Sequence, residues 1–139
     1  VAKYLWLDAV IYQTPAWWME APAALKSYED DVFGGPAMIT GDGRHHENPA
    51  VNYGTGGKLK GRYMISSTWN APLNAFLAPD EFFEGKGIDA TFFGLHKANQ
   101  FIGLKPLPFF MCNDVIKNPT LESDIERLKA HLEKVFGRA

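Results

Sequence analysis

Three short apolar runs, each followed by a helical pattern, constrain the fold of this chain more than any other feature. The runs are DAVIYQT (8–14), GRYMISST (61–68) and PLPFFMCND (106–114). They are rich in β-branched and aromatic residues and alternate only weakly, which is typical of strands buried inside a sheet. Strands that alternate with helices predict an α/β fold with a parallel sheet.

The helical segments fall between and after these runs. Apolar residues recur at helical spacing over residues 21–33, 90–104 and about 120–136, and a short helical turn is predicted at 80–84. In the helix 21–33, every fourth residue of one face is apolar: Ala24, Tyr28 and Val32. The acidic run 29–31 is therefore expected to face solvent.

Tryptophan marks two of the three strand ends, which read TPAWWM, STWNAP and CND. Ligands of open α/β sheets bind at the carboxyl edge of the strands, so Trp17, Trp18, Trp69 and Asn70 are candidates for binding a flat, aromatic ligand. The backbone N–H groups that follow Thr68 suit anionic or carbonyl oxygens. Packing against the domain or a second subunit is the alternative role for these tryptophans.

A long glycine-rich loop covers residues 34–60. Its segment NYGTGGKLKG lacks the spacing of a phosphate-binding loop and is interpreted as a flexible turn that leads into a strand. Tyr53 in this loop is a large side chain that the loop could place over a pocket. His45 and His46 with Asp42 suggest a surface turn rather than a metal site, because adjacent histidines point in different directions.

Composition excludes several classes of protein. The chain is 46% hydrophobic and 22% charged, as globular proteins are, and its net charge of −2 without a basic block argues against nucleic acid as a partner. No apolar run approaches the roughly 20 residues that span a bilayer. A single cysteine, Cys112, fits a reducing compartment such as the cytoplasm. No pair of side chains is spaced for acid–base chemistry, so no catalytic residue is assigned and a cofactor is expected to supply the chemistry.

Four segments carry a resemblance to a known family: TPAWWMEAPAALKSYEDDVF, YGTGGKLKGRYMISSTWNAP, HKANQFIGLKPLP and NDVIKNP. Over essentially its whole length the chain resembles the modulator of drug activity B family of NADPH:quinone oxidoreductases. The resemblance implies a flavodoxin-like three-layer fold with a parallel sheet of order 2-1-3-4-5. It also implies a cytosolic homodimer that binds FAD and transfers hydride in two steps from NADPH to a small-molecule quinone.

The resemblance also implies which residues contact FAD. The family's flavin-binding stretches fall on three segments of this sequence: Ala16, Trp17, Trp18 and Met19; Thr68, Trp69, Asn70 and Ala71; and Tyr53. The three tryptophans are expected to form apolar walls, and N–H groups around Thr68–Ala71 are expected to stabilise negative charge on the flavin.

The start of the chain, VAKYLWLDAVIY, looks like the end of a helix already under way. Compared with the family, the first two strands, the first helix and the loop that holds the FAD phosphates are missing. We therefore expect residues 1–139 to be a single, incomplete flavin-binding domain in which 8–14 is an exposed apolar edge. Two alternatives stay open: a module that binds flavin weakly or not at all and has no turnover, and an FMN-dependent azo- or flavin reductase.

Overall fold

The computed structural model describes residues 1–137 and places nine elements along them. They are α1 Ala2–Trp6, β1 Ala9–Pro15, α2 Ala23–Phe33, β2 Arg62–Thr68, α3 Asn74–Leu77, α4 Phe93–Phe101, β3 Lys105–Pro106, β4 Phe110–Cys112 and α5 Leu121–Phe136.

The strands form one parallel sheet around β2. Strand β1 pairs with one side of β2, and the short strands β3 and β4 both pair with its other side. The predicted α/β fold with a parallel sheet is therefore confirmed. The register aligns the carboxyl ends of three strands, since Thr68 lies between Pro15 and Cys112.

The third predicted strand is broken into two pieces. Residues 105–106 and 110–112 pair with β2, but the pairing is interrupted between them. Proline has no N–H group for a β-ladder, and Pro108 lies in the interruption. The predicted strand 106–114 is thus observed as two short strands.

Burial differs between the first two strands. Strand β2 is buried on both faces as expected, and Tyr63, Met64 and Ile65 are at most 1% exposed. The interpretation of 8–14 as a buried strand is wrong for β1, where Ile11 is 45% exposed while its neighbour Tyr12 is buried, whereas the expectation of an exposed apolar edge is confirmed. Within residues 1–137 no strand pairs with the outer side of β1, so this strand is an apolar edge.

The number of helices agrees with the predictions better than their residue ranges do. Helix α5 matches its predicted range, whereas α4 is shorter than 90–104, and residues 80–84 contain turns but no helix. Instead, the segment after β2 forms the short helix α3. Among the residues that the structure describes, no helix has the length and apolarity that crossing a bilayer requires.

Helix α2 buries only part of the face that the sequence predicts. Tyr28 is 43% exposed, whereas Glu29 is only 6% exposed. The hydrophobic residues of α2 that pack on the core are Leu25, Val32 and Phe33. The expectation that the acidic run faces solvent is therefore wrong for Glu29, because the helix is rotated relative to the predicted apolar face.

The glycine-rich loop is held by close backbone contacts. A Cβ atom at Gly56 would clash with the carbonyl of Gly41, and one at Gly57 would clash with the backbone of Ile102 and Gly103. Only glycine allows chains to approach this closely. Gly56 and Gly57 therefore serve close packing of the loop that leads into β2, and the flexibility expected of this turn stays a prediction.

Candidate functional site

Two corners meet at the carboxyl edge of the sheet. The first corner is residues 16–19, which leave β1, and the second is residues 68–71, which leave β2. Pro15 and Thr68 are register partners, and the N–H of Ala16 donates to the carbonyl of Thr68 at 3.0 Å. The structure thus brings together eight of the nine residues that the sequence singles out for cofactor binding.

The first corner presents its side chains to solvent. Trp17 is 62% and Trp18 is 96% exposed, and Met19 is half-exposed. Backbone hydrogen bonds between Trp17 and Glu20, of 2.8 and 3.1 Å, close the turn. Trp18 and Met19 both have left-handed backbones, with φ of 51° and 70°. Such strained residues concentrate at binding sites, and large exposed indoles are costly unless a ligand covers them.

The second corner is anchored by a buried tryptophan. Trp69 is 3% exposed, and its indole N–H donates to the Ser67 hydroxyl at 2.9 Å. Its ring packs edge-on against Phe76, Phe83 and Phe92, with centroids 5.0 to 5.7 Å away. The expectation that this indole forms a wall of the site is wrong. An indole with its N–H satisfied is more stable inside this aromatic cluster than at the surface.

The backbone of the second corner is fixed by the neighbouring strand end. The N–H of Trp69 donates to the carbonyl of Cys112, and the carbonyls of Trp69 and Ala71 accept from Val115 and Asp114. These bonds are 2.8 to 3.0 Å long. The backbone of the turn that follows Thr68 is therefore held in place by residues 112–115.

Four N–H groups at the two corners have no acceptor among residues 1–137. They belong to Trp18, Met19, Asn70 and Ala71. At an exposed corner such N–H groups donate to water until a ligand displaces it. Together they form a set of donors suited to the oxygen and nitrogen acceptors of a flat heterocycle or to an anionic group.

Tyr53 lies away from both corners. Its ring is 70% exposed and contacts Phe101 at a centroid distance of 5.6 Å. Phe101 ends α4, whereas Phe92 at the start of α4 packs on Trp69. The nine residues of α4 rise about 13 Å, so Tyr53 sits at the opposite end of this helix from the corners.

A cavity beside the first corner was not anticipated from the sequence. It has a volume of about 280 Å³ and is lined by Met19, Phe82, Phe83, Ala90 and Thr91 together with the charged residues around them. Phe82 is 73% exposed and packs edge-on against Phe83. The adjacent phenylalanines ahead of a glycine-rich turn, FFEGKG, are the sequence signal that could have indicated this wall.

Burial favours the neutral form of two nucleophilic or basic side chains near the sheet. Burial raises the pKa of the Cys112 thiol, which keeps it protonated at neutral pH. His96 Nδ1 lies 2.8 Å from the Tyr63 hydroxyl, and burial lowers the pKa of its imidazole. His96 is thus a neutral residue at the edge of the core.

The turn that contains His45 and His46 carries an ion pair between Asp42 and Arg44 at 2.6 Å. Across the described part of the chain, no three His, Cys, Asp or Glu side chains are grouped closely enough to hold a metal ion.

Comparison with known proteins places the chain among flavodoxin-like proteins. The profile of a family described as "Flavodoxin-like fold" matches residues 1–135. The chain is 51% identical to NADPH:quinone oxidoreductase MdaB of Haemophilus influenzae over 140 residues, which cover 99% of this chain and 73% of that protein. It is 53% identical to the uncharacterised protein C5H10.05c of Schizosaccharomyces pombe, covering all of this chain and 72% of that protein.

A solved structure agrees with these alignments. A proposed quinone reductase of Klebsiella pneumoniae superposes with a TM-score of 0.75 at 25% identity, covering 96% of this chain and 50% of that one. The parallel sheet with tryptophan-bearing corners and the near-complete alignments together show that this chain belongs to the flavodoxin-like modulator of drug activity B (MdaB) family.

Proposed function

We propose that this protein is an FAD-dependent oxidoreductase that transfers hydride from NADPH to quinones. The observation that carries the proposal is the pair of adjoining corners, which combine two exposed indoles with four unpaired N–H donors. The relative named NADPH:quinone oxidoreductase MdaB supports the choice of reaction.

The residues of the two corners fit the ring system of a flavin. An isoalloxazine has an apolar benzenoid end and a polar edge whose nitrogens and oxygens accept hydrogen bonds. The indoles of Trp17 and Trp18 match the apolar end, and the N–H groups of Asn70 and Ala71 match the polar edge. We therefore assign flavin binding to residues 16–19 and 68–71, with Trp69 as the buried anchor of the second corner.

The chain's own contribution to the reaction is binding, orientation and electrostatics. Bound FAD would supply the relay of a hydride from NADPH to the quinone. N–H donors at Asn70 and Ala71 would stabilise the negative charge that accompanies hydride uptake, by about 3 kcal/mol for each well-placed donor. Because bonds to the 112–115 segment already fix this turn, the donors would need little reorganisation. The exposed indoles would exclude water from the ring.

The cavity beside Met19 is suited to the quinone. A quinone is a flat, largely apolar ring, and this cavity offers the exposed face of Phe82 next to the first corner. We propose that Phe82 and Met19 hold the acceptor ring against the flavin, and that no side chain of this chain acts as an acid or base.

A homodimer would explain the position of Tyr53. This side chain lies at the far end of α4 from its own corners and is exposed. We propose that two copies associate so that Tyr53 of each reaches the flavin corner of the other. The free thiol of Cys112 fits a protein that acts in the reducing cytoplasm.

The direct test is to purify the chain, add FAD and follow NADPH oxidation with menadione as acceptor. We expect flavin absorbance to co-purify or to appear on reconstitution, and NADPH oxidation to require both FAD and menadione. Chromatography of the released cofactor distinguishes FAD from FMN.

Three results would count against the proposal. A chain that neither binds added FAD nor oxidises NADPH would instead be a binding module. Release of FMN would favour an FMN-dependent reductase. For the charge-stabilising role of the second corner, Asn70→Pro removes one N–H, and an unchanged rate of flavin reduction would contradict that role.

A further inference from the structure

We propose that a cleft at the amino edge of the sheet binds a soluble anion that carries several phosphate groups. This basic cleft is a cavity of about 660 Å³ between the segment that precedes β1 and the segment that precedes β2. Four cationic residues line it: Lys60, Arg62, Lys105 and Lys58, whose Nζ donates to the carbonyl of Pro36 at 3.0 Å. The assignment is independent of the proposed reductase activity.

The charge in the basic cleft is poorly balanced. The lining contains four cations but a single carboxylate, Asp8, in a chain whose net charge is −2. Within residues 1–137, none of the four cations makes an ion pair with a carboxylate. Cations concentrated in a cleft create a local positive potential that attracts anions.

Two of these cations lie side by side across the sheet. Arg62 and Lys105 are register partners on the neighbouring strands β2 and β3. Like charges directly opposite each other destabilise a sheet. An anion bound between the two cations would turn this repulsion into attraction.

The backbone of the cleft adds neutral donors. Within the described residues, the N–H groups of Lys60 and Gly61 have no acceptor, although those of Lys58, Leu59 and Arg62 do. An N–H group beside cationic side chains can donate to an anionic oxygen. The donors and the cations thus lie on the same segment.

The cleft is distant from the flavin corners. It lies where β1 and β2 begin, whereas the corners follow their carboxyl ends. The seven residues of β2 span about 20 Å. An NADPH molecule bound against the flavin at the carboxyl edge would therefore not reach the basic cleft.

The size and charge of the cleft indicate the class of ligand. A cavity of about 660 Å³ has room for far more than one phosphate group. An excess of three positive charges over negative ones matches an anion with three or more charges. Linear polyphosphate and the phosphate chain of a nucleotide have this chemistry.

The test uses tripolyphosphate as probe in calorimetric titrations of the full chain, with or without FAD. We expect saturable binding that weakens at least tenfold in the double variant Lys60→Gln/Lys105→Gln, because each cation contributes up to several-fold in affinity. The control variant Lys117→Gln/Lys129→Gln has the same net charge but leaves the cleft intact, and its affinity should change less than twofold.

Thermal unfolding gives an independent readout. Without the anion, Lys105→Gln should raise Tm by about 2 °C because the repulsion with Arg62 is removed. Tripolyphosphate should raise Tm of the wild type but not of the double variant.

Several results would overturn the proposal. Equal weakening in both double variants would mean only non-specific attraction. Binding to phosphatidylserine vesicles without binding to tripolyphosphate would indicate a membrane surface. If KM for NADPH rose in parallel in the cleft variant, the cations would belong to the reductase site.

Discussion

The hydroxyl of Tyr12 donates a 2.7 Å hydrogen bond to Oδ1 of Asn99, which joins the edge strand β1 to helix α4. The hydroxyl of Tyr4 lies 2.7 Å from that of Tyr12, and Nδ2 of Asn99 donates to the carbonyl of Leu95 at 2.9 Å. All three side chains are buried. This polar chain thus fastens β1, which has a strand neighbour on one side only among residues 1–137, to the rest of the fold.

We expect Tyr12→Phe to lower the free energy of unfolding by about 1–3 kcal/mol, because it leaves buried polar groups of Asn99 and Tyr4 without a partner. Urea denaturation followed by circular dichroism measures the change. Tyr53→Phe is the control, since this exposed hydroxyl has no hydrogen bond within the described residues, and it should change stability by less than about 0.5 kcal/mol. Equal effects of the two substitutions would contradict a structural role for the Tyr12 hydroxyl.

Trp18→Ala should weaken FAD binding about five- to tenfold without lowering Tm. The indole is 96% exposed, so the fold loses little when it is removed, whereas a stacked ligand loses an aromatic contact. Trp6→Ala is the matched control, because Trp6 is 87% exposed on α1 and far along the sheet from the corners. Fluorescence titration with FAD gives both affinities. If the two variants bind FAD alike, Trp18 has no role in the site.

Phe82→Ala should raise KM for menadione several-fold while KM for NADPH changes less. The exposed ring lines the cavity beside Met19, and an aromatic contact with a quinone contributes about 1 kcal/mol. Phe93→Ala removes a comparably exposed phenylalanine that does not line this cavity. Steady-state kinetics with both substrates measures the two KM values. An unchanged KM for menadione would show that the quinone does not bind against Phe82.

Because Glu29 is buried, we expect the free energy of unfolding to fall as the pH rises. Burial raises the pKa of this carboxyl from 4.5 to about 7, an effect that Lys26 opposes and the carboxylates of Asp30 and Glu20 reinforce. Between pH 4.5 and about pH 7, the folded protein binds more protons than the unfolded chain. The free energy of unfolding therefore decreases by about 2–3 kcal/mol as the pH rises through this range.

Glu29→Gln should remove most of that decrease, as measured by urea denaturation from pH 4.5 to 8. Asp31→Asn, on the same helix but exposed, should retain it. A wild type whose stability is flat across this range would show that Glu29 is solvated in solution.

The sequence predicted the strands better than the side-chain directions at their ends. An apolar run such as GRYMISST is compatible with little except a buried strand, and β2 is buried on both faces. Trp17 and Trp69 look equivalent in sequence, yet one indole is exposed and the other lies in the core. What separates them is the cluster of Phe76, Phe83 and Phe92, which comes from later in the chain.

Glu29 shows that the sequence also failed to predict which side chains of a helix are buried. The spacing of Ala24, Tyr28 and Val32 suggested one buried face, but of these three only Val32 packs on the core, whereas Tyr28 is 43% exposed. The rotation of α2 is instead determined by Leu25, Val32 and Phe33, which pack on the core. A buried carboxyl therefore follows from tertiary packing, which periodicity alone does not specify.

The position of Tyr53 gives the sharpest test of the proposed homodimer. Light scattering should give twice the mass of the chain, and Tyr53→Ala should weaken FAD binding although this residue lies at the other end of α4 from its own corner. Trp18→Ala impairs the corner itself. When the two variants are mixed and allowed to exchange subunits, half of the sites in each mixed dimer combine an intact corner with an intact Tyr53. We therefore expect mixing to restore part of the FAD affinity that both variants have lost. A monomeric mass, or no recovery after exchange, would show that Tyr53 does not act across a dimer.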